Sequence, residues 1–360
     1  MAYAPISKPS LHFNTKLYTG NGANNHAITG VGFAPDWVWQ KRRDNSNGHV
    51  LFDKVRGATK ILQSESASGE ITSASGQDTV SLDSDGFTVA VPAQTGGINP
   101  NGASCVAWNW KAAGTSGSTN NDGNVATTVA VNTTAGFSIV TYTGTGNAGA
   151  TIGHGLGAVP NWIVIKKRAG GSSRDWAVYH SANTSAPETE ILYLNNTDAT
   201  ADSAAYWNDT APTSSIITLG AGNEVNESNT HTYVAYCFAE KKGYSKFGKY
   251  TGNGNADGAF VYTGFKPAFV IAKQTDSSDN WALWDNKREP FNVNDNILRT
   301  DTSAAETSNA AYKIDFLSNG FKLRGTDTKI NGNGNSYVYM SFAEEPLVAN
   351  VGASIPATAR

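Results

Sequence analysis

Tyr18-Thr-Gly-Asn-Gly22 is the first of three versions of one motif, and the others are Tyr142-Thr-Gly-Thr-Gly146 and Tyr250-Thr-Gly-Asn-Gly254. A second motif follows the first version and reads Gly32-Phe-Ala-Pro-Asp-Trp-Val-Trp-Gln-Lys41. Its counterparts are Gly157-Ala-Val-Pro-Asn-Trp-Ile-Val-Ile-Lys166 and Gly264-Phe-Lys-Pro-Ala-Phe-Val-Ile-Ala-Lys273. Motifs that recur in one order indicate internal repeats, which govern how the rest of the chain is interpreted.

A third motif closes each repeat at a nearly constant distance from the first. Its versions are Cys105-Val-Ala-Trp-Asn-Trp110, Tyr233-Val-Ala-Tyr-Cys-Phe238 and Tyr337-Val-Tyr-Met-Ser-Phe342. We interpret the chain as three homologous units, each about the size of a β-sandwich domain. The predicted boundaries are an N-terminal arm over 1–11, units over 12–113, 122–241 and 243–346, a linker over 114–121 and a C-terminal tail over 347–360.

The closing motifs have the alternation of β-strands. Val106, Trp108 and Trp110 fall on one face, and the equivalent faces of the other copies are equally bulky and apolar. The second motif suits central strands entered at a proline, and the Tyr-Thr-Gly-x-Gly motif ends a strand in a glycine turn. We therefore predict an all-β protein of three tandem β-sandwiches, jelly-roll or lectin-like. A pseudo-threefold body and a linear string both remain open.

Two local features complete this prediction. Asp83-Ser-Asp-Gly86 and Ser318-Asn-Gly320 have the composition of hairpin turns. The weak helical signal allows one short helix over 56–63, and the Gly/Ser/Asn-rich linker over 114–121 is expected to be flexible.

Composition excludes several functional classes. The chain has 360 residues, a formal net charge of −3 and 16% charged residues. No basic surplus is present to neutralise phosphates, so we expect no nucleic-acid binding. No stretch approaches the ~20 apolar residues of a membrane span, and no apolar signal core begins the chain. Cys105 and Cys237 are expected to be two buried thiols, which fits synthesis in a reducing cytoplasm.

No metal or cofactor is predicted. His154 lies in Ile152-Gly-His-Gly-Leu-Gly157, but no Gly-x-Ser-x-Gly nucleophile motif occurs, and we interpret it as a turn histidine. The histidines lack the pairing of a zinc site, and the Gly-x-Gly turns lack the Lys-Ser/Thr of a phosphate loop. Asp83 and Asp85 offer oxygen ligands for calcium as an alternative, although the distal glutamate of a full calcium loop is missing.

Two acid–base pairs recur at equivalent places. Asp53-x-x-Arg56 and Asp285-x-x-Arg288 are each followed by a glutamate, Glu70 or Glu306. Repetition in two units favours structural ion pairs. The alternative is a glycosidase, which needs two carboxylates about 5–10 Å apart in a cleft.

Four tryptophans are candidates for glycan binding. Trp176, Trp207, Trp281 and Trp284 lie in less apolar contexts than the strand tryptophans. An exposed aromatic ring beside Asn and Asp provides an apolar face and hydrogen bonds for a sugar. The alternative is that these rings are partly buried at the edges of the sandwiches.

The combined motifs resemble a family of virion structural proteins of marine phages, including phages of cyanobacteria, whose members are often labelled tail-fibre-like or structural. The resemblance rests on Gly-Phe-x-Pro-Asp-Trp-Val-Trp-x-Lys-x-Arg, Leu-Phe-Asp-x-Val-Arg-Gly-Ala-Thr-Lys and Gly-Tyr-Ser-Lys-Phe-Gly-x-Tyr-Thr-Gly-Asn-Gly, besides the motifs above, and covers about 13–346. It implies a protein that is not an enzyme, that assembles in the host cytoplasm and that resides on the virion surface. No catalytic residues come with it.

The chain departs from a typical long fibre. About a dozen residues precede the first repeat, and no heptads or collagen-like triplets occur. The expected partners are tail or capsid proteins, bound through the terminal arms (2–16 and 348–360), and a homo-oligomer is compatible with this.

The leading hypothesis is a tail-fibre or appendage protein that contacts host surface glycans. The alternatives are a head decoration or capsid-fibre protein and, less favoured, a polysaccharide-degrading enzyme.

Overall fold

Strands make up 43% of the protein and helices 6%, so the predicted all-β class is confirmed. The computed structural model describes residues 4–73, 78–91 and 97–347. Within these ranges no helix has the length and apolar character needed to span a bilayer. The helices are single turns: α1 (Ala204–Trp207), α2 (Asn223–Asn226), α3 (Thr328–Asn331) and the 3₁₀ turns Pro9–Leu11, Pro187–Thr189 and Ala310–Tyr312.

The first part of the chain forms one large and one small sheet. Its strands are β1 (Phe13–Thr19), β2 (His26–Thr29), β3 (Trp37–Arg42), β4 (Val50–Asp53), β5 (Gly57–Leu62), β6 (Ile71–Thr72), β7 (Thr79–Asp83), β8 (Gly86–Val89) and β9 (Ser104–Trp110). The first large sheet has the order β1-β9-β3-β4-β5-β6, and the first small sheet has the order β2-β8-β7.

The middle part repeats this division with an added hairpin. Its strands are β10 (Ser118–Asn120), β11 (Thr127–Asn132), β12 (Phe137–Thr143), β13 (Ala150–Gly153), β14 (Trp162–Ala169), β15 (Ala177–His180), β16 (Glu190–Tyr193), β17 (Ala201–Asp202), β18 (Ile216–Leu219) and β19 (Thr232–Phe238). The middle large sheet has the order β10-β11-β12-β19-β14-β15-β16-β17, and the middle small sheet is β13-β18.

The last part again separates into a large and a small sheet. Its strands are β20 (Ser245–Thr251), β21 (Phe260–Tyr262), β22 (Phe265–Gln274), β23 (Ala282–Asp285), β24 (Asn296–Ile297), β25 (Thr307–Ser308), β26 (Ile314–Leu317), β27 (Gly320–Leu323) and β28 (Ser336–Pro346). The third large sheet has the order β20-β28-β22-β23, the third small sheet is β21-β27-β26, and β24 pairs with β25.

The three large sheets share one hydrophobic core. The bulky faces of β9, β19 and β28 all belong to it, as the alternation of the closing motifs predicts. Trp37 stacks on Tyr236 with ring centroids 4.4 Å apart, and Phe13 stacks on Phe342 at 5.0 Å. Because one cluster contains side chains from all three sheets, a linear string of units is wrong.

The other face of each large sheet packs on the small sheet of the same part of the chain. These contacts form three separate clusters, represented by Val38 with Phe87, by Ile163 with Ile217 and by Val270 with Phe321. Each large sheet is therefore buried on both faces, which explains why strands such as β14 and β22 are apolar along most of their length.

Several local predictions are confirmed. The Tyr-Thr-Gly-x-Gly motifs end β1, β12 and β20, and Gly22, Gly146 and Gly254 have φ between 65° and 75°, a conformation that glycine tolerates. The two hairpin turns join β7 to β8 and β26 to β27. Cys105 and Cys237 are buried free thiols.

Other local predictions are wrong. Residues 57–62 form strand β5 instead of a helix, because they continue the first large sheet beside β4. The predicted linker contains β10, which pairs with β11. Pro267 lies inside β22 at a register shift, where a missing N–H is tolerated, and not at the strand entry.

The N-terminal arm is part of the fold. Ala4 is 1% exposed and Ile6 is 3% exposed, and Ile6 belongs to the core shared by the large sheets. The prediction that this arm is a docking element is therefore wrong for these two residues. Residues 348–360, the other predicted docking element, lie outside the described residues.

Candidate functional site

All four candidate glycan-binding tryptophans are buried. Trp176, Trp207, Trp281 and Trp284 are at most 1% exposed, so the expectation that they stack on sugars is wrong. Each indole N–H donates to a main-chain carbonyl, and the acceptors are Gln63, Glu190, Tyr193 and Tyr312 at 2.9, 2.9, 2.8 and 3.1 Å. A tryptophan whose N–H has such a partner can be fully buried even where its sequence neighbours are polar.

The first predicted ion pair lies between two large sheets. Arg56 contacts Asp53 through its Nε, and both side chains are fully buried. Arg56 also contacts Glu70 at 3.1 Å, and Glu70 accepts two hydrogen bonds from Arg168 at 2.8 and 3.1 Å. Because Arg168 belongs to β14, this network joins the first sheet to the middle sheet. The hydroxyl of Tyr236, on β19, donates to Asp53 at 2.7 Å.

The second predicted ion pair has the same arrangement between the third and first sheets. Arg288 contacts Asp285 at 2.6 Å and Glu306 at 2.7 Å. Glu306 accepts hydrogen bonds from Arg43 at 2.7 and 3.0 Å, just beyond β3. The indole N–H of Trp108 donates to Asp285 at 3.0 Å, in the place that the Tyr236 hydroxyl takes in the first network.

The contact between the middle and third sheets is built differently. His180 ends β15 as Asp53 ends β4 and Asp285 ends β23. Its Nε2 lies 3.0 Å from the carbonyl oxygen of Tyr339, and its Nδ1 accepts the N–H of Ala182 at 3.0 Å. The adjoining core position of β28 is Met340, which has no proton to donate to a carboxylate.

The electrostatics of the two networks favour ionised carboxylates that are paired with arginines. Burial raises the pKa of Glu70 and of Glu306, but the hydrogen bonds and charges of the neighbouring arginines outweigh burial, and both pKa values lie below their ordinary value. A glycosidase acid requires a raised pKa. These carboxylates therefore stay ionised and bound to arginine, which opposes the glycosidase alternative.

The remaining candidates have structural partners. His154 accepts the N–H of Leu156 at 3.2 Å, and its other ring nitrogen lies 3.2 Å from the carbonyl of Thr213, in the turn after β13. Asp85 accepts the N–H groups of Gly30 and Gly32 at 2.9 and 2.6 Å. Over the described ranges no three His, Cys, Asp or Glu side chains gather as a metal site would need.

A pair of exposed aromatic rings lies on the third small sheet. Phe260 is 47% exposed and Tyr262 is 58% exposed, while Val261 between them is buried against β27. The corresponding residues are Ala27 and Thr29 in β2 and Thr151 and Gly153 in β13, each beside a buried isoleucine. Only this copy of the strand therefore presents aromatic rings to solvent. We call the surface of Phe260 and Tyr262, with Lys322 and Asp257 beside them, the outer aromatic face.

An ion pair and a glycine lie next to the two exposed rings. Lys322 lies opposite Phe260 in the sheet and contacts Asp257 at 2.5 Å. Gly320 lies opposite Tyr262, and a Cβ there would lie 2.1 Å from the carbonyl oxygen of Val261 and 3.1 Å from the ring of Phe260. An exposed ring face beside hydrogen-bonding charged groups is the combination that recognises sugars.

More exposed apolar groups lie at the opposite edge of the same sheet. Phe291 is 77% exposed and Val293 is 40% exposed. The side chain of Asn292 between them bonds the N–H and the carbonyl of Phe316, on β26, at 2.9 Å each. Four of the six large apolar side chains that are exposed in the described ranges thus belong to the third small sheet or its border.

A cleft of about 310 Å³ adjoins Tyr262. Its walls include Ala4 and Leu347, near the two ends of the described chain, and the Lys246–Glu240 ion pair at 2.8 Å. The cleft lies between the start of β20 and the end of β21.

The outer aromatic face was missed from the sequence, although a signal for it was present. Phe260-Val-Tyr262 alternates, and it stands where the other two repeats have Ala27-Ile-Thr29 and Thr151-Ile-Gly153. A comparison of the repeats at the residues that flank this buried position picks out the aromatic pair.

One family model matches residues 8–346, and its description is "Domain of unknown function (DUF7483)". The comparison with curated proteins and the comparison with solved structures give no match.

Proposed function

The chain belongs to this family of unknown function, and we propose that the protein is a structural component of a phage particle, tail-fibre-like or appendage-like, that contacts host surface glycans. The motif resemblance over 13–346 supports the virion assignment. The outer aromatic face supports the glycan contact, and it is the observation that carries this proposal.

The argument for glycan contact comes from the difference between the repeats. Exposed Phe and Tyr side chains gain nothing for folding when they leave apolar surface in water. The corresponding strands form with smaller residues at these positions, Ala27 and Thr29 in β2 and Thr151 and Gly153 in β13. Two rings that project from a rigid sheet beside Lys322 and Asp257 fit the apolar face and the hydroxyl groups of a sugar.

The proposed architecture is three homologous units around a pseudo-threefold axis. Its support is the shared core together with three corresponding lysines, Lys41, Lys166 and Lys273, each buried at the same place in β3, β14 and β22. Each ammonium group donates to main-chain carbonyls, such as those of Asn45, Ala67 and Thr197. A body of this kind suits a symmetry axis of a virion.

We assign the protein a binding role and no enzymatic one. The carboxylates considered for catalysis, at Asp53, Glu70, Asp285 and Glu306, are held by arginines at the contacts between large sheets. Hydrolysis of a glycoside requires one protonated carboxyl group as the acid and one carboxylate as the base or nucleophile. Because these four carboxylates are bound to arginines, we assign neither role to any of them.

A second candidate is a head decoration or capsid-fibre protein. Its supporting observation is that the cleft lined by Tyr262 and Leu347 lies beside the last described residue, where a neighbouring capsid protein could be bound. Localisation on intact particles by cryo-electron microscopy separates the two candidates. Density at the tail or its appendages is expected for the first, and density spread over the capsid would replace it with the second.

The glycan contact is tested with the full chain and purified envelope polysaccharide of the host. Phe260→Ala and Tyr262→Ala are each expected to weaken binding about tenfold, because each removes one of the two ring faces that contact the sugar, and tenfold corresponds to about 1.4 kcal/mol. The matched control is Thr29→Ala, at the corresponding exposed position, which should bind as the wild type does.

The melting temperature of each variant is measured alongside, because both side chains are exposed and their loss should leave the fold intact. Wild-type affinity in both aromatic variants would overturn the assignment of the site. Failure of the wild-type protein to bind any host polysaccharide would overturn the proposed glycan contact itself.

A further inference from the structure

Strand β21 presents an unpaired edge. It is the terminal strand of the third small sheet, and in the described part of the chain its only strand partner is β27. Val261 lies opposite Phe321, and the hydrogen bonds of Thr263 to Asn319 and of Leu323 to Ala259 fix the pattern of the ladder. Antiparallel pairing alternates, so the N–H and C=O groups of Phe260 and Tyr262 point away from β27.

The same edge is covered in the middle part of the chain. There the N–H of Thr151 donates to the side chain of Asn124 at 2.7 Å, and its carbonyl accepts the N–H of Val125 at 3.0 Å. The next outward carbonyl, of Gly153, accepts the hydroxyl of Thr127 at 3.0 Å. An added segment can therefore bond this edge without disturbing the sandwich.

In the third part of the chain nothing comparable precedes the edge. The segment that covers β13 leads into β11, whereas residues 239–244 turn directly into β20. Strand β20 consequently remains the edge of its large sheet, as β21 is of its small sheet. The cleft of about 310 Å³ lies between them.

We propose that β21 pairs antiparallel with β21 of a second copy of this chain, so that two third small sheets become one continuous six-stranded sheet. With Val261 opposite Val261 of the other protomer, Phe260 lies opposite Tyr262. Each of these residues then exchanges both backbone hydrogen bonds across the junction, four in all. The contact is isologous and closes after two copies.

The residue types favour a second copy over other occupants. Phe260-Val-Tyr262 is short but contains neither a charge nor a proline, two of the devices by which natural edge strands avoid pairing, whereas β20 carries Lys246 and Lys249. Phe260 and Tyr262 lie on the same face of the strand. In this register Phe260 of each protomer therefore lies beside Tyr262 of the other, on one face of the joined sheet. Aromatic cross-strand pairs of this kind stabilise antiparallel sheets.

The dimer is expected to be reversible. A three-residue junction is far smaller than the ~800 Å² per partner of a standard interface, so dilution should dissociate it. In the dimer four rings line one face of the joined sheet, and the outer aromatic face is completed by the partner. The inference does not depend on the proposed glycan contact, because self-association is measured without any glycan.

The test is sedimentation velocity of the full chain over a range of concentrations. The wild-type protein should pass from 38.0 kDa at low concentration to twice that mass at high concentration. Tyr262→Pro removes an outward N–H without touching the pairing with β27, and it should raise the dissociation constant at least 30-fold. Thr29→Pro, at the corresponding edge position of β2, is the matched control and should dimerise normally.

A second variant separates lost pairing from lost folding. Phe260→Lys keeps every backbone group and places a charge at the junction, so it should remain folded by circular dichroism and sediment as a monomer. A wild-type chain that stays at 38.0 kDa at every concentration would overturn the proposal. So would a folded Phe260→Lys chain that dimerises as the wild type does.

Discussion

The indole N–H of Trp108 donates a 3.0 Å hydrogen bond to the carboxylate of Asp285, which joins the first large sheet to the third. Tyr236 makes the corresponding bond to Asp53 between the middle and first sheets. At the remaining contact the donor is replaced by Met340 and the carboxylate by His180. The presence of histidine and the presence of methionine are consistent with each other. An aspartate at position 180 would be buried without a hydrogen bond from the residue at position 340, because methionine has no proton to donate.

Replacement of Asp285 by alanine should strongly destabilise the fold. Both Arg288 and Trp108 are buried and would lose Asp285 as their partner. Breaking a buried ion pair costs about 3–5 kcal/mol. Urea unfolding followed by tryptophan fluorescence measures the loss. Asp257→Ala, which removes a solvent-exposed ion pair, is the control and should change stability little. Equal losses in the two variants would contradict the role given to the network.

The contact around His180 should weaken in acid. Burial lowers the pKa of His180 to about 4, so the folded state favours the neutral ring. The corresponding stability is present above the ordinary histidine pKa of about 6.5 and is lost as the pH falls towards 4. The melting temperature should therefore decline over this interval, and it should decline less in His180→Gln. Parallel curves for the two proteins would refute this assignment.

The tryptophan fluorescence should be that of fully shielded indoles. All nine tryptophans are at most 4% exposed, and they lie within the described residues. We expect a blue-shifted emission and almost no quenching by iodide in the native protein, with full quenching in urea. Strong native quenching would show that an indole reaches the surface after all.

The two thiols should be inert in the native protein. Burial raises the pKa of Cys105 to about 11 and that of Cys237 to about 12, so neither forms a thiolate near neutral pH. A thiol reagent should label no cysteine in buffer and two in denaturant. Rapid labelling of one cysteine in buffer would mean that its strand opens readily.

Much of the fold follows from short-range patterns. The alternation in Cys105-Val-Ala-Trp-Asn-Trp110 and its two counterparts predicted which side chains enter the shared core, because strand geometry alone sets the two faces. The glycine turns and hairpins were equally local. The Asp-x-x-Arg pairs were found for the same reason, since both partners lie within four residues.

The failures have a common cause in long-range packing. Trp176 and Trp281 have polar neighbours in sequence, yet their indoles reach carbonyls of other sheets or strands, at Gln63 and Tyr193. Which residues a large sheet exposes depends on the small sheet and on the other large sheets. No periodicity within one strand carries that information.

The extensions of the ion pairs were unpredictable for the same reason. Arg168 and Arg43 meet Glu70 and Glu306 only because the large sheets surround one core. A single sequence contains the partners but not the placement of the sheets that brings them together.

The stacking of Phe13 on Phe342 has a consequence for how the protein is made. A ribosome delivers Phe13 early and Phe342 only after nearly all other core residues, so the shared core cannot close before Phe342 has been synthesised. Until then Trp37, Trp110 and their neighbours lack the last strand that covers them, and such intermediates are prone to aggregate. Closure of the shared core therefore requires strand β28, which is the last of the described strands to be synthesised.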